Sequence, residues 1–406
     1  MKPSVLSSVC FFVLATHGFG FCQSSVQAQH TAQFRFDFSD IADDQFENHQ
    51  SVPGFELNLD AIRLVQFNLD EDAVWMTERQ KLHAKAMGMK YLDITDAPSN
   101  FGRLFEKQHF SYPPPNSSLV KPIFPLLSIE EMKTNLKYFS SFRTRYYNSE
   151  SGRASSEWLL QKIRNYTAEL ATPEQKAIIS VEPFHHGWKQ ASVIIRIAPK
   201  GSTSDPITVL GAHCDSINKK NPYLPAPGAD DDGSGTVTIL EAYRALLKSK
   251  YTPTTPLEFH FYSAEEGGGL GSQEIVAAYE AEGKEIKGMQ QYDMTAWVAS
   301  GSKEVVNIIT TGVDTELTEF LTLLVGRYLD IPWVKEQQAK GTGSDHLLWT
   351  RAGYQACHAF EGLAVNANNE NIHTRQDRID ASHEFSFSHM RQFAKLAVAF
   401  AVELSS

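Results

Sequence analysis

The stretch ITVLGAHCDS (207–216), followed by PGADDDGSG (227–235) and LEFHFYSAEEGGGLGS (257–272), decides how this chain reads. Residues 207–212 and 257–263 are short runs rich in β-branched and aromatic side chains, as buried strands are. Residues 235–248 between them carry a helical pattern. Strand, helix and strand in succession imply a largely parallel sheet covered on both faces. Each of the three pieces contains side chains able to hold a metal: His213 and Asp215, then Asp230, Asp231 and Asp232, then Glu265 and Glu266. Open α/β sheets place their sites at the carboxyl ends of strands, where these residues fall. The expectation is a metal-dependent hydrolase.

The residue types divide the work. A lone histidine after a strand is more often structural, but His213 stands in His-Cys-Asp, where Asp215 can accept the other ring N–H and fix the tautomer. Three adjacent aspartates repel one another; they suit a helix N-terminus and also a divalent cation. Spacing does not say which of the three would bind. Of two neighbouring carboxylates, one can coordinate while the other stays free and moves protons. Asp293 in QQYDMT (290–295) and His373 in NENIHTRQD (369–377) supply two further ligands after later strands. Two histidines with three carboxylates would give each of two ions three protein ligands if one carboxylate bridges, leaving room for water. Imidazole with carboxylate favours zinc, and cobalt or manganese also fit.

Working outward, the 406 residues suit two to three units, and a formal charge of −11 argues against a nucleic-acid partner. Residues 1–28 read as a signal peptide: Lys2 precedes a mostly apolar run from Val5 to Phe21, short for a span of about 20 residues. Cleavage is expected after Ala28, or near Gly20, and an uncleaved anchor is the competing reading. Beyond it only Cys214 and Cys357 remain, which argues against a disulfide framework. Sequons at Asn116 and Asn165 would be surface glycosylation acceptors in a secreted protein. Residues 29–118 read as a propeptide and linker. They include strand candidates at 63–67 and 90–95, a helix at 78–87 opened by a Thr77/Gln80 capping box, and the polyproline run SYPPPNSS (111–118). Residues 119–406 form the α/β domain, with helices expected at 128–142, 157–167, 271–281, 316–329 and 385–404 and further strands at 191–198, 288–294 and 354–361.

With these motifs assembled, the chain resembles the secreted leucine aminopeptidases of fungi and bacteria, which are co-catalytic di-zinc exopeptidases. PAPGADDDGSGTVTILEA, FYSAEEGGGLGSQ, QQYDMT, GSDH and IHTRQD carry the resemblance in order over about residues 125 to 404, and RLVQ, WMTERQK and KYLDIT carry a weaker one in the propeptide. The resemblance implies a zinc-exopeptidase fold and two zinc ions. Asp231 would bridge, with His213 and Asp293 on one ion and Glu266 and His373 on the other; Glu265 would be the general base. It implies peptide substrates with a free N-terminus, leucine or another apolar residue being removed. It also implies a zymogen, monomeric and extracellular, free of the membrane once the signal is cut. The alternatives on this fold are a glutaminyl-cyclase-like or carboxypeptidase activity, or a catalytically impaired binding homologue. One departure stands out: where family members often carry Cys-Gly-Tyr-x-Cys before Ser-Asp-His, this chain has Ala339, Gly341 and Gly343 in place of the two cysteines and the tyrosine. Ser344-Asp345-His346 is not expected to form a serine triad, since adjacent residues rarely converge in that geometry. His185 and His186 are expected to pack rather than ligate.

Overall fold

Strands buried on both faces set the architecture. The structure, a computed structural model, describes residues 53–68, 71–202, 205–339 and 342–406. The expected signal peptide and Gly341 lie outside these residues.

The N-terminal part is a small antiparallel sheet with one helix. It comprises β1 (Ile62–Gln66), β2 (Val74–Thr77), α1 (Glu78–Ala86) and β3 (Leu92–Asp93), in the sheet order β2-β1-β3. Thr77 and Gln80 form the expected capping box, and Gly88 follows the helix at φ 81°. Three apolar positions, Val65, Ala84 and Tyr91, make its own small core.

The α/β domain runs α2 (Ile129–Phe139), α3 (Glu150–Leu170), α4 (Pro173–Lys176), β4 (Ile179–Phe184), β5 (Ser192–Ile197), β6 (Ile207–His213), α5 (Gly233–Lys248), β7 (Leu257–Tyr262), α6 (Leu270–Ala281) and β8 (Ile286–Tyr292). It continues with β9 (Val306–Ile309), α7 (Thr315–Tyr328), β10 (Trp333–Glu336), α8 (His346–Arg351), β11 (Ala356–Phe360) and α9 (Phe387–Ser405). The eight strands lie in the order β10-β9-β11-β8-β6-β7-β5-β4. The centre β7-β6-β8-β11 is parallel; antiparallel pairs at β11-β9, β7-β5 and β5-β4 make the sheet mixed.

Alternation along the strands feeds two cores. Leu210, Ala212, Phe259 and Phe261 meet α2, α3, α5, α7 and α9 on one face. Ile207, Val209, Tyr262 and Met289 meet α6 and α8 on the other. Ser128 caps α2 as expected, while α3 begins earlier than its apolar period indicates, because Ser149 caps it by accepting the N–H of Gly152. Gly235 lets α5 start against the end of β8: a Cβ there would lie 2.2 Å from the Tyr292 carbonyl. The proline run is pinned along the domain. Tyr112 donates to the Lys287 carbonyl at 2.7 Å, and Glu403 accepts the Ser117 N–H at 2.9 Å. Cys214 and Cys357 are free, buried thiols.

Candidate metal centre

The carboxyl ends of β6, β7 and β8 converge. β6 ends at His213, β7 leads through Ala264 to Glu265 and Glu266, and Asp293 follows β8. The aspartate loop lies between β6 and α5, and His373 sits in the loop between β11 and α9. Three residues here hold left-handed backbone: Ala264 (φ 58°), Met294 (φ 62°) and His373 (φ 57°). Such conformations cost energy for side chains with a Cβ and gather where a site demands them.

The structure brings the five expected ligands into two trios. Nε2 of His213 lies 3.0 Å from Asp231 Oδ1 and 3.5 Å from Asp293 Oδ1. Nε2 of His373 lies 2.9 Å from Asp231 Oδ2 and 3.1 Å from Glu266 Oε2. Donor atoms of His213, Asp231 and Asp293 fall within 4.8 Å of one another, and so do those of Asp231, Glu266 and His373. Asp231 thus turns one oxygen to each trio. Its neighbours are otherwise engaged. Asp230 accepts from the Ala296 N–H and the Asn368 side-chain amide, and Asp232 accepts from the N–H groups of His213, Gly235 and Met294. Asp215 accepts the N–H of Glu265 and of Glu266, and lies 3.3 Å from His213 Nδ1.

A cation fits this arrangement. Glu266 Oε1 is buried with no hydrogen-bond partner among the described residues, and Asp293 Oδ1, also buried, has only the His213 ring at 3.5 Å. Buried carboxylate oxygens without partners are costly, and a divalent ion would satisfy them. The ionisation behaviour agrees. Both imidazoles are driven towards their protonated forms against the effect of burial: His213 by Asp293, Asp215 and Asp231, and His373, raised to about 9, by Glu266 and Asp231. A divalent ion would supply the positive charge that these carboxylates otherwise draw from imidazole protonation. Burial would raise Glu266, yet His373 and Lys85 hold it down at about 2. Burial pushes Glu265 up to about 8, with Glu266 adding repulsion while His213, Lys85 and Lys90 oppose.

Residues 192–398 match Peptidase family M28. Leucine aminopeptidase 1 of Chaetomium globosum is 42% identical over 349 residues, covering 82% of this chain and 83% of that protein. This chain belongs to peptidase family M28. Leucine aminopeptidase 1 of Colletotrichum graminicola is 39% identical over 388 residues, 92% of each chain, so the likeness extends beyond the M28 core. The crystal structure of Legionella pneumophila LapA aminopeptidase superimposes with a TM-score of 0.73 at 25% identity, over 85% of this chain and 98% of that one. A Bacteroides thetaiotaomicron glutaminyl cyclase shares the fold at 16% identity and a TM-score of 0.53, over 68% of this chain and 97% of that one, so the M28 fold by itself does not choose the reaction. These relatives bear out the resemblance read from the motifs.

Three residues at the M28 centre were not legible as site residues in the sequence. Lys85, from α1, places its Nζ 2.5 Å from Glu266 Oε2, and the charge of Lys90 acts on Asp293, Glu265 and Asp231. Both lysines and Glu265 line a cavity of about 310 Å³ that also touches Ala339 and Gly343. Asp377 accepts the N–H groups of Asp230 and Asp231. It lies within IHTRQD, but nothing in a one-dimensional pattern shows which backbone groups a carboxylate will meet. The residues read as non-ligands behave so. His186 stacks on Trp188 with ring centroids 4.4 Å apart. Ser344 and Asp345 both accept from Gln291, and the His346 ring nitrogens have no partner among the described residues, so no triad forms.

Proposed function

We propose that this chain is a secreted zinc aminopeptidase that holds two zinc ions and removes leucine or another apolar residue from the N-terminus of peptides. That it is a metallo-aminopeptidase follows from the M28 match and the relatives named above. The observation that carries the two-ion reading is the pair of trios sharing Asp231. His213 and Asp293 would hold one ion, Glu266 and His373 the other, and Asp231 both. When bound, the ions polarise the scissile carbonyl and acidify the attacking water. Glu265, in neither trio, would take the proton of that water and pass it to the leaving amine; burial raises its carboxyl and so strengthens it as a base, while bound ions would draw it back towards the ionised form. Asp215 orients this apparatus by holding the Glu265 and Glu266 backbone and the His213 ring. The Lys85 ammonium against Glu266 supports the choice of an amine-recognising exopeptidase over a carboxypeptidase: this end of the site accepts a primary ammonium.

In this reading residues 29–118 are a propeptide cut in the proline-rich run, and residues 1–28 direct export. The contact of Lys85 with Glu266 supports an occluding role, since a cationic side chain stands where an ion or the substrate amine would go, and Lys90 lines the same cavity. The test is hydrolysis of leucine p-nitroanilide by the chain before and after cleavage near residue 118, with zinc, after chelation, and for Glu265→Gln. Zinc-restored hydrolysis that Glu265→Gln abolishes and cleavage enhances is expected. Cyclisation of N-terminal glutamine without release of leucine, or activity indifferent to chelation, would overturn the reading.

A further inference from the structure

We propose that Asp377 is a positioning residue that sets where Asp231 meets both ions, by tying the aspartate loop to the loop of His373. The proposal rests on the metal-centre reading above. Asp377 is 1% exposed and spends every acceptor it has on one loop. Its Oδ1 accepts the N–H of Asp230 at 2.9 Å, its Oδ2 accepts the N–H of Asp231 at 3.0 Å, and its carbonyl accepts the N–H of Ala229 at 3.0 Å. Three consecutive residues therefore hang from a single side chain and its own peptide. Its own N–H is directed back to the Thr374 carbonyl at 3.4 Å, so the anchor is part of the turn that carries His373.

The other side of the aspartate loop is gripped by the opposite chemistry. Arg145 is fully buried and donates to the carbonyls of Cys214 (3.0 Å), Pro227 and Gly228 (2.9 Å). Carbonyls preceding the loop face a guanidinium, and N–H groups within it face a carboxylate. With the N–H groups of residues 230 and 231 both fixed, the root of the Asp231 side chain has one orientation. From it the two oxygens reach His213 Nε2 and His373 Nε2 at 3.0 and 2.9 Å. A bridging carboxylate tolerates little rotation, because a turn that favours one ion withdraws from the other. Two acceptors for two N–H groups are what the position requires. An asparagine offers one, and turns its NH₂ towards the other donor.

A residue that merely stabilised the fold would lower melting temperature and leave the ions alone. The experiment uses the full-length chain, stripped of metal, as wild type and as Asp377→Asn. Cobalt(II) is titrated in while its visible bands report coordination geometry, and zinc affinity is read by competition with a chelator. The variant is expected to bind zinc about 10- to 100-fold more weakly, as substitutions behind metal ligands do. It should also show altered cobalt bands, while melting without metal within a few degrees of wild type. Wild-type affinity and bands in a folded variant overturn the proposal. Should Asp377→Asn not fold, Asp377→Glu keeps both acceptors but displaces them by a methylene. It is expected to shift the cobalt bands and weaken zinc, and unchanged values there overturn the proposal equally. A wild-type chain that takes up neither ion overturns the metal-centre reading and this one with it, whereas a binding wild type beside an unaffected variant overturns this one alone.

Discussion

Strand β7 leads into two buried glutamates with opposite fates. Glu258, 1% exposed, meets Arg196 at 2.5 Å, His260 at 2.8 Å and the Tyr279 hydroxyl at 2.6 Å, all within the α/β domain. Glu266, 2% exposed, meets His373 and a lysine borrowed from helix α1 of the N-terminal part, and its Oε1 has no partner among the described residues. A buried charge survives only when paired and hydrogen-bonded. Glu258 finds that pairing in its own domain, so its cluster is structural. Glu266 is paired only with His373 and with a lysine from outside the α/β domain, which leaves its Oε1 over, as suits a carboxylate that would hold a metal.

The comparison breaks most sharply at the chemistry. Glu265→Gln should lower kcat by about 10²–10⁴-fold, the usual worth of a positioned acid–base group. Zinc content, measured on the same preparation, should stay at the wild-type level because Glu265 is in neither trio. On the structural side, Glu258→Gln should cost about 3–5 kcal/mol in denaturant unfolding, since it strands Arg196 and His260, and should leave zinc affinity unchanged. Equal zinc loss in both variants would erase the distinction between the two clusters.

Acid sharpens the same contrast. His260, Tyr279 and Arg196 hold Glu258 down at about 2, against an ordinary 4.5, overcoming the effect of burial. A carboxyl depressed by folding contributes fully above its unfolded value and loses that contribution as pH falls through the folded one. Roughly 3 kcal/mol of stability should therefore disappear between about pH 4.5 and 2 and be absent from the acid titration of Glu258→Gln. The smallest effect tests the borrowed lysine. A charge-assisted hydrogen bond is worth about 1.5–3 kcal/mol. Lys85→Met in the full-length chain should accordingly tighten binding of the ion at Glu266 and His373 by about tenfold or more in chelator competition. An unchanged affinity would mean that Lys85 does not compete with metal.

What was legible in the chain was what local chemistry dictates. Residues 207–212 and 257–263 read as buried strands because apolar side chains cover both faces, and α1 and α2 read as helices because Thr77 and Ser128 cap them. Strands β2, β4, β9 and β10 went unread; β2 has four residues and lies at the edge of the small sheet. β4 and β10 lie at the sheet edges and are half-exposed, and β9 and β10 have only four residues each, too few to show a period. Helix α8 has six residues and no side-chain cap.

Sequence by itself also determined the donor types of the site, because histidine and carboxylate at strand ends have few other uses in such density. Residue chemistry left three aspartates open, and the family pattern favoured the middle one. Only the tertiary structure showed the cause: Asp230 and Asp232 spend their oxygens on N–H groups brought by other loops, while Asp231 faces both histidines. The same holds for Lys85 and Asp377. A lysine in a helix and an aspartate in a turn look like any others until folding sets them against a glutamate 181 residues away and a backbone 146 residues away. Contacts between distant segments are made by the fold as a whole, and so the sequence names the groups while the structure alone says which of them meet.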